Sequence, residues 1–223
     1  MKLEIELACA ICEKRKEKRF CPVEHGRICP QCCGEQREVT LDCPSDCTYL
    51  QHAREHEKPR SIADLDQSAL FLKVEISDQF LYEQEQLILG LTYSLAKSAR
   101  SARGLHDSDF IAALTSVSRS YETLASSGLV YETPTTNVAH QAITLEIRKM
   151  IKEFREAEQK HLGYMRLRDA DVLRALIFLL RMALTRTSGR PRSRAFVDFL
   201  FSQFPEQASA LATAGEGSRI IVP

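Results

Sequence analysis

Cys9-Ala10-Ile11-Cys12, then Phe20-Cys21-Pro22-Val23-Glu24-His25-Gly26-Arg27-Ile28-Cys29-Pro30-Gln31-Cys32-Cys33, then Cys43-Pro44-Ser45-Asp46-Cys47: these stretches decide how the chain begins to fold. All eight cysteines lie within them, and none follows Cys47. The spacing is C-x2-C-x8-C-x7-C-x2-C-C-x9-C-x3-C. Eight thiolates are the ligand count of two tetrahedral zinc ions. Two zinc ions held by Cys9, Cys12, Cys21, Cys29, Cys32, Cys33, Cys43 and Cys47 are therefore expected. Cysteine-only ligation also suits iron–sulfur chemistry. The C-x2-C pairs feeding short strands favour zinc.

Leu3, Ile5 and Leu7 alternate with Lys2, Glu4 and Glu6, a period of two that predicts a strand leading into Cys9. Arg37-Glu38-Val39-Thr40-Leu41 alternates in the same way ahead of Cys43. A helix is expected from Pro44 to Glu57, with proline at its first position, where the missing N–H costs nothing. Cys43 and Cys47 would then aim at one metal from the positive end of the helix dipole. His52 and His56 fall about 140° and 180° from Cys47 around that helix, so they are assigned to its solvated face.

Two ways of sharing ligands fit the spacing. The sequential one puts Cys9, Cys12, Cys21 and His25 on one ion and Cys29, Cys32, Cys43 and Cys47 on the other. The interleaved one puts Cys9, Cys12, Cys29 and Cys32 together, and Cys21, Cys43 and Cys47 with one more ligand. For that last place Cys33 is preferred over His25, because thiolate is the stronger structural zinc ligand. Cys32 and Cys33 point in different directions and can serve different ions.

The run from Cys9-Ala-Ile-Cys12 through Phe20-Cys21 to Ile28-Cys29-Pro-Gln-Cys32 resembles the B-box, a cross-braced two-zinc module, over roughly 30 residues. That resemblance implies interleaved ligation and protein–protein contacts. The terminal histidine pair of a B-box is replaced here by Cys43 and Cys47 at longer spacing. The fuller string Ile28 to Arg54 is similar to the N-terminal signature of a group of uncharacterised bacterial proteins. It implies a recurring cysteine-rich module ahead of a helical domain, and nothing catalytic.

A 58-residue module with few large apolar groups builds little core, so metal is expected to supply its folding energy. Lys14, Arg15, Lys16, Lys18 and Arg19 lie between Cys12 and Cys21. Close to the thiolates they would lower thiol pKa and favour oxidation, which is the redox-switch alternative. Eleven Lys/Arg balance eleven Asp/Glu over residues 1–60, and two all-thiolate zinc sites add a formal charge of about −4. An acidic module of this kind argues against nucleic-acid binding through it.

The chain has 223 residues, 44% hydrophobic and 27% charged, with a formal net charge of zero. These values describe a soluble globular protein with no global pull toward nucleic acid or anionic membrane. Glu4 and Glu6 interrupt what would be the apolar core of a signal peptide. Val172 to Leu184 is broken by Arg174 and Arg181, so no membrane span is expected. A cytoplasmic location follows, and a reducing compartment favours metal over disulfides.

Residues 1–58 read as the cysteine-rich module, 59–61 as a hinge, 62–205 as a helical domain and 206–223 as a flexible tail. Ile220-Ile221-Val222 is the tail's apolar run. Ile62 to Ile76 is ambiguous. Ser77 or Asp78 caps a helix bearing Phe80, Leu87, Ile88, Leu91 and Leu95. Asp107 caps the next, with Phe110, Ile111, Leu114, Val117, Tyr121 and Leu124 at helical spacing, and Gly128 ends it. Val130 to Thr136 is a loop. Asn137 starts a helix to about His161, with Ile143, Ile147, Met150, Ile151 and Phe154 inward and i,i+4 Lys–Glu pairs outward. Asp169 or Asp171 begins an apolar helix from Val172 to Leu184, and Pro191 begins the last. The fold expected is mainly α: a small two-zinc module with short strands and one helix, followed by an all-α bundle of about five helices.

No Asp or Glu occurs from Val172 to Val197, whereas Arg174, Arg181, Arg186, Arg190, Arg192 and Arg194 do. The last three crowd the positive start of a helix, which makes them candidates for binding an anion. There is no P-loop, GxSxG, HExxH or GxGxxG, and His106, His140 and His161 stand alone. The expected role is a non-enzymatic interaction or regulatory protein with structural zinc and a protein partner. The alternatives are a nucleic-acid-binding regulator using residues 174–194, and a zinc–thiolate redox sensor.

Overall fold

The computed structural model describes residues 8–58, 60–102, 104–129 and 135–205, apart from the side chain of Asp64. The strand expected over Leu3–Leu7, most of the loop at 130–136 and the tail at 206–223 lie outside the described residues, as does residue 59 of the expected hinge.

The chain is mainly helical, with a small two-stranded sheet near its start. β1 (Arg19–Cys21) and β2 (Gly26–Ile28) form an antiparallel hairpin in which Arg19 faces Ile28 and Cys21 faces Gly26. This register turns Cys21 and Ile28 inward and leaves Phe20 and Arg27 outside. His25 closes the turn at φ 48°, and its side chain is exposed.

Two short helices follow. α1 (Pro30–Gln36) starts with proline at its first turn and buries Cys32 and Cys33. α2 (Thr48–His56) is capped by Cys47 and buries Leu50. It begins four residues later than expected. Pro44 instead sits in a turn whose carbonyl accepts the Cys47 N–H at 3.0 Å. The strand expected over Arg37–Leu41 is also absent. The N–H groups of Val39, Thr40 and Leu41 all point to the Gln36 carbonyl at 3.1 Å, and Glu38 takes φ 56°. Three donors converging on one carbonyl make a tight turn, which overrides the alternating pattern.

The remaining helices are α3 (Asp78–Glu83), α4 (Glu85–Ser101), α5 (Asp107–Ser127), α6 (Val138–Leu162), α7 (Asp169–Arg186) and α8 (Ala195–Gln203). Ser77 Oγ accepts the Phe80 N–H, and Asn137 Oδ1 accepts those of Ala139 and His140, so both caps stand where the sequence puts them. Gly128 and Gly163 end α5 and α6 with φ of 70° and 81°. α7 runs through the centre: Val172, Ala175, Leu176, Leu179, Leu180 and Ala183 have no exposed surface. α5 packs along it, and α4 and α6 cross beside each other so closely that a Cβ at Gly90 would sit 3.1 Å from Met150 Sδ. Two positions depart from expectation. α8 starts at Ala195, because the Arg190–Ser193 segment is a turn closed by the Ser193 N–H on the Arg190 carbonyl. Asp107 is fully buried and does not cap its own helix, which Asp109 serves by accepting the His106 N–H. It accepts the Phe196 and Val197 N–H groups and the Ser193 hydroxyl, and so caps α8 across the bundle.

Buried side chains fall into two clusters. One spans α3 to α8. The other comprises six cysteines with only Ile28, Leu41 and Leu50 as aliphatic members. That much apolar surface is too small to hold some fifty residues without cross-links.

Candidate metal centre

Cys9, Cys12, Cys29 and Cys32 bring their sulfur atoms within 4.8 Å of one another. Cys9 and Cys12 come from a tight turn in which Glu13 N–H donates to the Cys9 carbonyl and Glu13 takes φ 54°. Backbone bonds Cys9 N–H to Arg15 carbonyl (2.8 Å) and Ala10 N–H to Arg27 carbonyl (3.0 Å) fix that turn against β2. Cys29 and Cys32 come from the N-cap and first turn of α1, one residue past β2. The hairpin thus carries the second ligand pair up to the first.

Backbone donors already surround these thiols. The Cys29 N–H donates to Cys9 Sγ at 3.1 Å, and the Cys32 N–H to Cys29 Sγ at 3.4 Å. The Cys32 N–H holds the Cys29 thiol down at about 6 against the upward push of burial, and Arg15 Nη1 at 3.6 Å acts in the same direction. Burial and the neighbouring thiols push Cys32 up to about 12. At Cys9 burial also acts upward, but the N–H groups of Cys12, Cys29 and Ile11 outweigh it and lower the thiol. Four thiolates packed this closely repel one another. A metal ion supplies the missing charge and deprotonates them outright. Four buried or half-buried thiols, two of them (Cys9 and Cys29) accepting main-chain N–H groups, are the donor set of a closed tetrahedral zinc site.

Among the described residues this is the one group of sulfurs so close together; Cys21, Cys33, Cys43 and Cys47 do not form a second. Those four cysteines do line one small, partly open void of about 10 Å³ together with Ile28, Leu41 and Leu50. Burial raises the Cys43 thiol, the Glu38 N–H opposes that, and the charges of Cys47, Cys21 and Cys33 add to the rise. Cys32 joins the sulfurs of Cys9, Cys12 and Cys29, whereas Cys33, and not His25, lines the void.

Of the basic run after Cys12, Arg15 reaches the thiols and Arg19 stacks over Tyr49 at 4.8 Å. The arginines of the C-terminal half have separate tasks. Arg174 pairs with Asp171 and lies over Phe80, and Arg181 donates to the carbonyls of Leu70, Phe71 and Val74. Arg190 Nη1 donates to the carbonyls of Gly34 (3.0 Å) and Arg37 (2.6 Å). The Arg192 N–H donates to the Glu38 carbonyl at 2.8 Å, and Arg194 precedes α8 with its Nε buried and unbonded. The Arg190 and Arg192 contacts join the cysteine region to the bundle. A further tie has no signal in the sequence: Glu38, 1% exposed, accepts Arg54 Nη2 (2.8 Å) and Ser188 Oγ (2.9 Å), while Arg54 Nη1 also reaches Asp198 at 2.6 Å.

Fold and site together define a class: a helical bundle preceded by a cysteine-rich region able to hold a metal ion. No protein-family model, curated protein or solved structure matches this chain. No helix among the described residues is long and apolar enough to cross a membrane.

Proposed function

We propose that this chain is a non-enzymatic interaction or regulatory protein, located in the cytoplasm, whose cysteine region is folded by two structural zinc ions. The convergence of Cys9, Cys12, Cys29 and Cys32 carries the reading of the first ion. The presence of Cys21, Cys33, Cys43 and Cys47 along one small void supports the second, which would draw their sulfurs together on binding. The ligation is then interleaved. Both sites are closed by thiolate, which leaves no open position for a reacting water or substrate. The zinc ions serve shape, and the surface they shape serves a protein partner.

The nucleic-acid alternative loses support from the arginines already engaged inside the fold, Arg174, Arg181 and Arg190. Elemental mass spectrometry of anaerobically purified protein, with its absorption spectrum, tests the proposal. Two zinc atoms per chain and a colourless sample are expected. Iron with visible absorption would overturn it. One zinc with four titratable thiols would leave the second site as the redox-sensor alternative requires.

A further inference from the structure

We infer that the joint between the cysteine region and the bundle is a binding site for a small phosphate ester carrying hydroxyl groups. A cleft of about 390 Å³ opens there, lined by Arg54, Lys58 and Arg60 on one side and by Thr185, Arg186 and Ser188 on the other. That volume lies in the range of small-molecule sites.

The charge in the cleft is one-sided. Glu57, its one lining carboxylate among the described residues, is paired with Arg37 at 2.9 Å. Arg54 is matched by Glu38 and Asp198. Lys58, Arg60 and Arg186 remain, and none of them has a carboxylate partner among the described residues. Three unmatched cations around one concavity repel one another, and a dianionic phosphate relieves that repulsion.

Two of them are held in place. Arg186 lies over Phe199, its guanidinium carbon 3.7 Å from the ring centroid. Arg60 packs over Gly189, where a Cβ would come within 3.1 Å of Nη1. Gly189 also has φ 76°, so the turn that makes room for Arg60 suits glycine alone. The planar fork of a single arginine matches phosphate in two-point fashion, and both arginines line the cleft.

The hydroxyls specify the rest of the ligand. Thr185 Oγ1 donates to the Arg181 carbonyl, and Ser188 Oγ donates to Glu38. Their protons are spent inside the protein, and Ser188 Oγ also accepts the Arg190 N–H at 3.4 Å, which leaves it one lone pair and Thr185 Oγ1 two for a ligand. A phosphorylated sugar supplies both the anion and the matching hydroxyl donors.

Titration calorimetry of the full chain with ribose 5-phosphate, ribose and inorganic phosphate tests this. Ribose 5-phosphate should bind saturably and more tightly than either half. Arg60→Gln and Arg186→Gln should each weaken it about tenfold, or about 1.4 kcal/mol. Lys58→Gln, at an exposed side chain with no partner to lose, should weaken it without changing the melting temperature. Zinc content should be unchanged in all three, which keeps this test apart from that of the metal reading. Absence of saturable binding at millimolar ribose 5-phosphate would overturn the inference. So would binding indifferent to all three substitutions. A single-stranded RNA that binds through the same residues at least a hundredfold more tightly would also overturn it, by replacing a small ester with nucleic acid.

Discussion

Replacing Arg54 with methionine tests whether one buried charge pair holds the cysteine region to the bundle. Arg54 Nη2 is 2.8 Å from Glu38 Oε1, and Nη1 is 2.6 Å from Asp198 Oδ2. Glu38 is 1% exposed, and its second oxygen meets only the Ser188 hydroxyl. Methionine keeps much of the stem volume and removes both donors. Removing one partner of a buried pair costs about 3–5 kcal/mol, because the remaining charge is left without compensation. Asp198 is half-buried and keeps Ser45 Oγ at 2.6 Å, so its share is that of a surface pair, about 0.5 kcal/mol. The total is about 4 kcal/mol. With a urea slope of about 3 kcal/mol per molar, the unfolding midpoint should fall by about 1.3 M. Glu38→Gln removes the charge while keeping an acceptor for Ser188. In that background Arg54→Met should cost about 1–2 kcal/mol, which leaves a coupling of about 2–3 kcal/mol in a double-mutant cycle. A midpoint shift under about 0.3 M for Arg54→Met, or a cycle additive within about 0.5 kcal/mol, would refute the reasoning.

Cys33→Ser should lower zinc content from two atoms per chain to one, whereas His25→Ala should leave it at two; the reverse result would move the ligand. Anaerobic chelation should abolish amide-exchange protection over residues 8–58 and leave α4 to α7 protected, because the cysteine region has three aliphatic core side chains and the bundle has its own core. Loss of protection throughout would show that the bundle does not stand alone. Asp107 gives a pH signature. Burial raises its carboxyl, and the Ser193, Val197 and Phe196 donors only partly oppose that. A folded pKa above the unfolded one binds protons preferentially in the native state. Its contribution is therefore fully present below the ordinary value of 3.8 and is lost as pH rises through the raised value. Asp107→Asn should remove this slope from the stability–pH profile over that window; an unchanged slope would place the titration elsewhere.

Much of the bundle was legible because its signals are local. Ile143, Ile147 and Ile151 recur at helical spacing and are all buried along α6. Ser77, Asn137 and Gly128 act on backbone groups within three or four residues of themselves. The features that were not legible depend on distant partners. Pro44 and Pro191 are good first residues for a helix, yet both lie in turns whose backbone groups are already bonded. Asp107 has the composition of a local cap, but its acceptors serve α8, some ninety residues on. In the cysteine region, spacing alone left sequential and interleaved ligation equally open. Only the hairpin register, which brings Cys29 beside Cys9, separates them.

Glu38 shows how the two regions are tied together. Its N–H lies on the Cys43 thiol, its carbonyl accepts the Arg192 N–H, and its carboxylate holds Arg54 and Ser188. One residue thus touches a proposed zinc ligand, the turn before α8 and the end of α7. Its φ of 56° is unfavourable for a side chain of this size, and these bonds keep it there. Arg190 repeats the pattern from the other side, binding the carbonyls at the end of α1 just past Cys33. A metal ion at the second cysteine set would fix α1 and the Glu38 turn together, and with them the donors that the bundle sends across the joint. The phosphate cleft is built from the same seam, since Arg54 and Ser188 line it. Metal loading, domain docking and ligand binding would then be linked through one turn of five residues, without any moving lid.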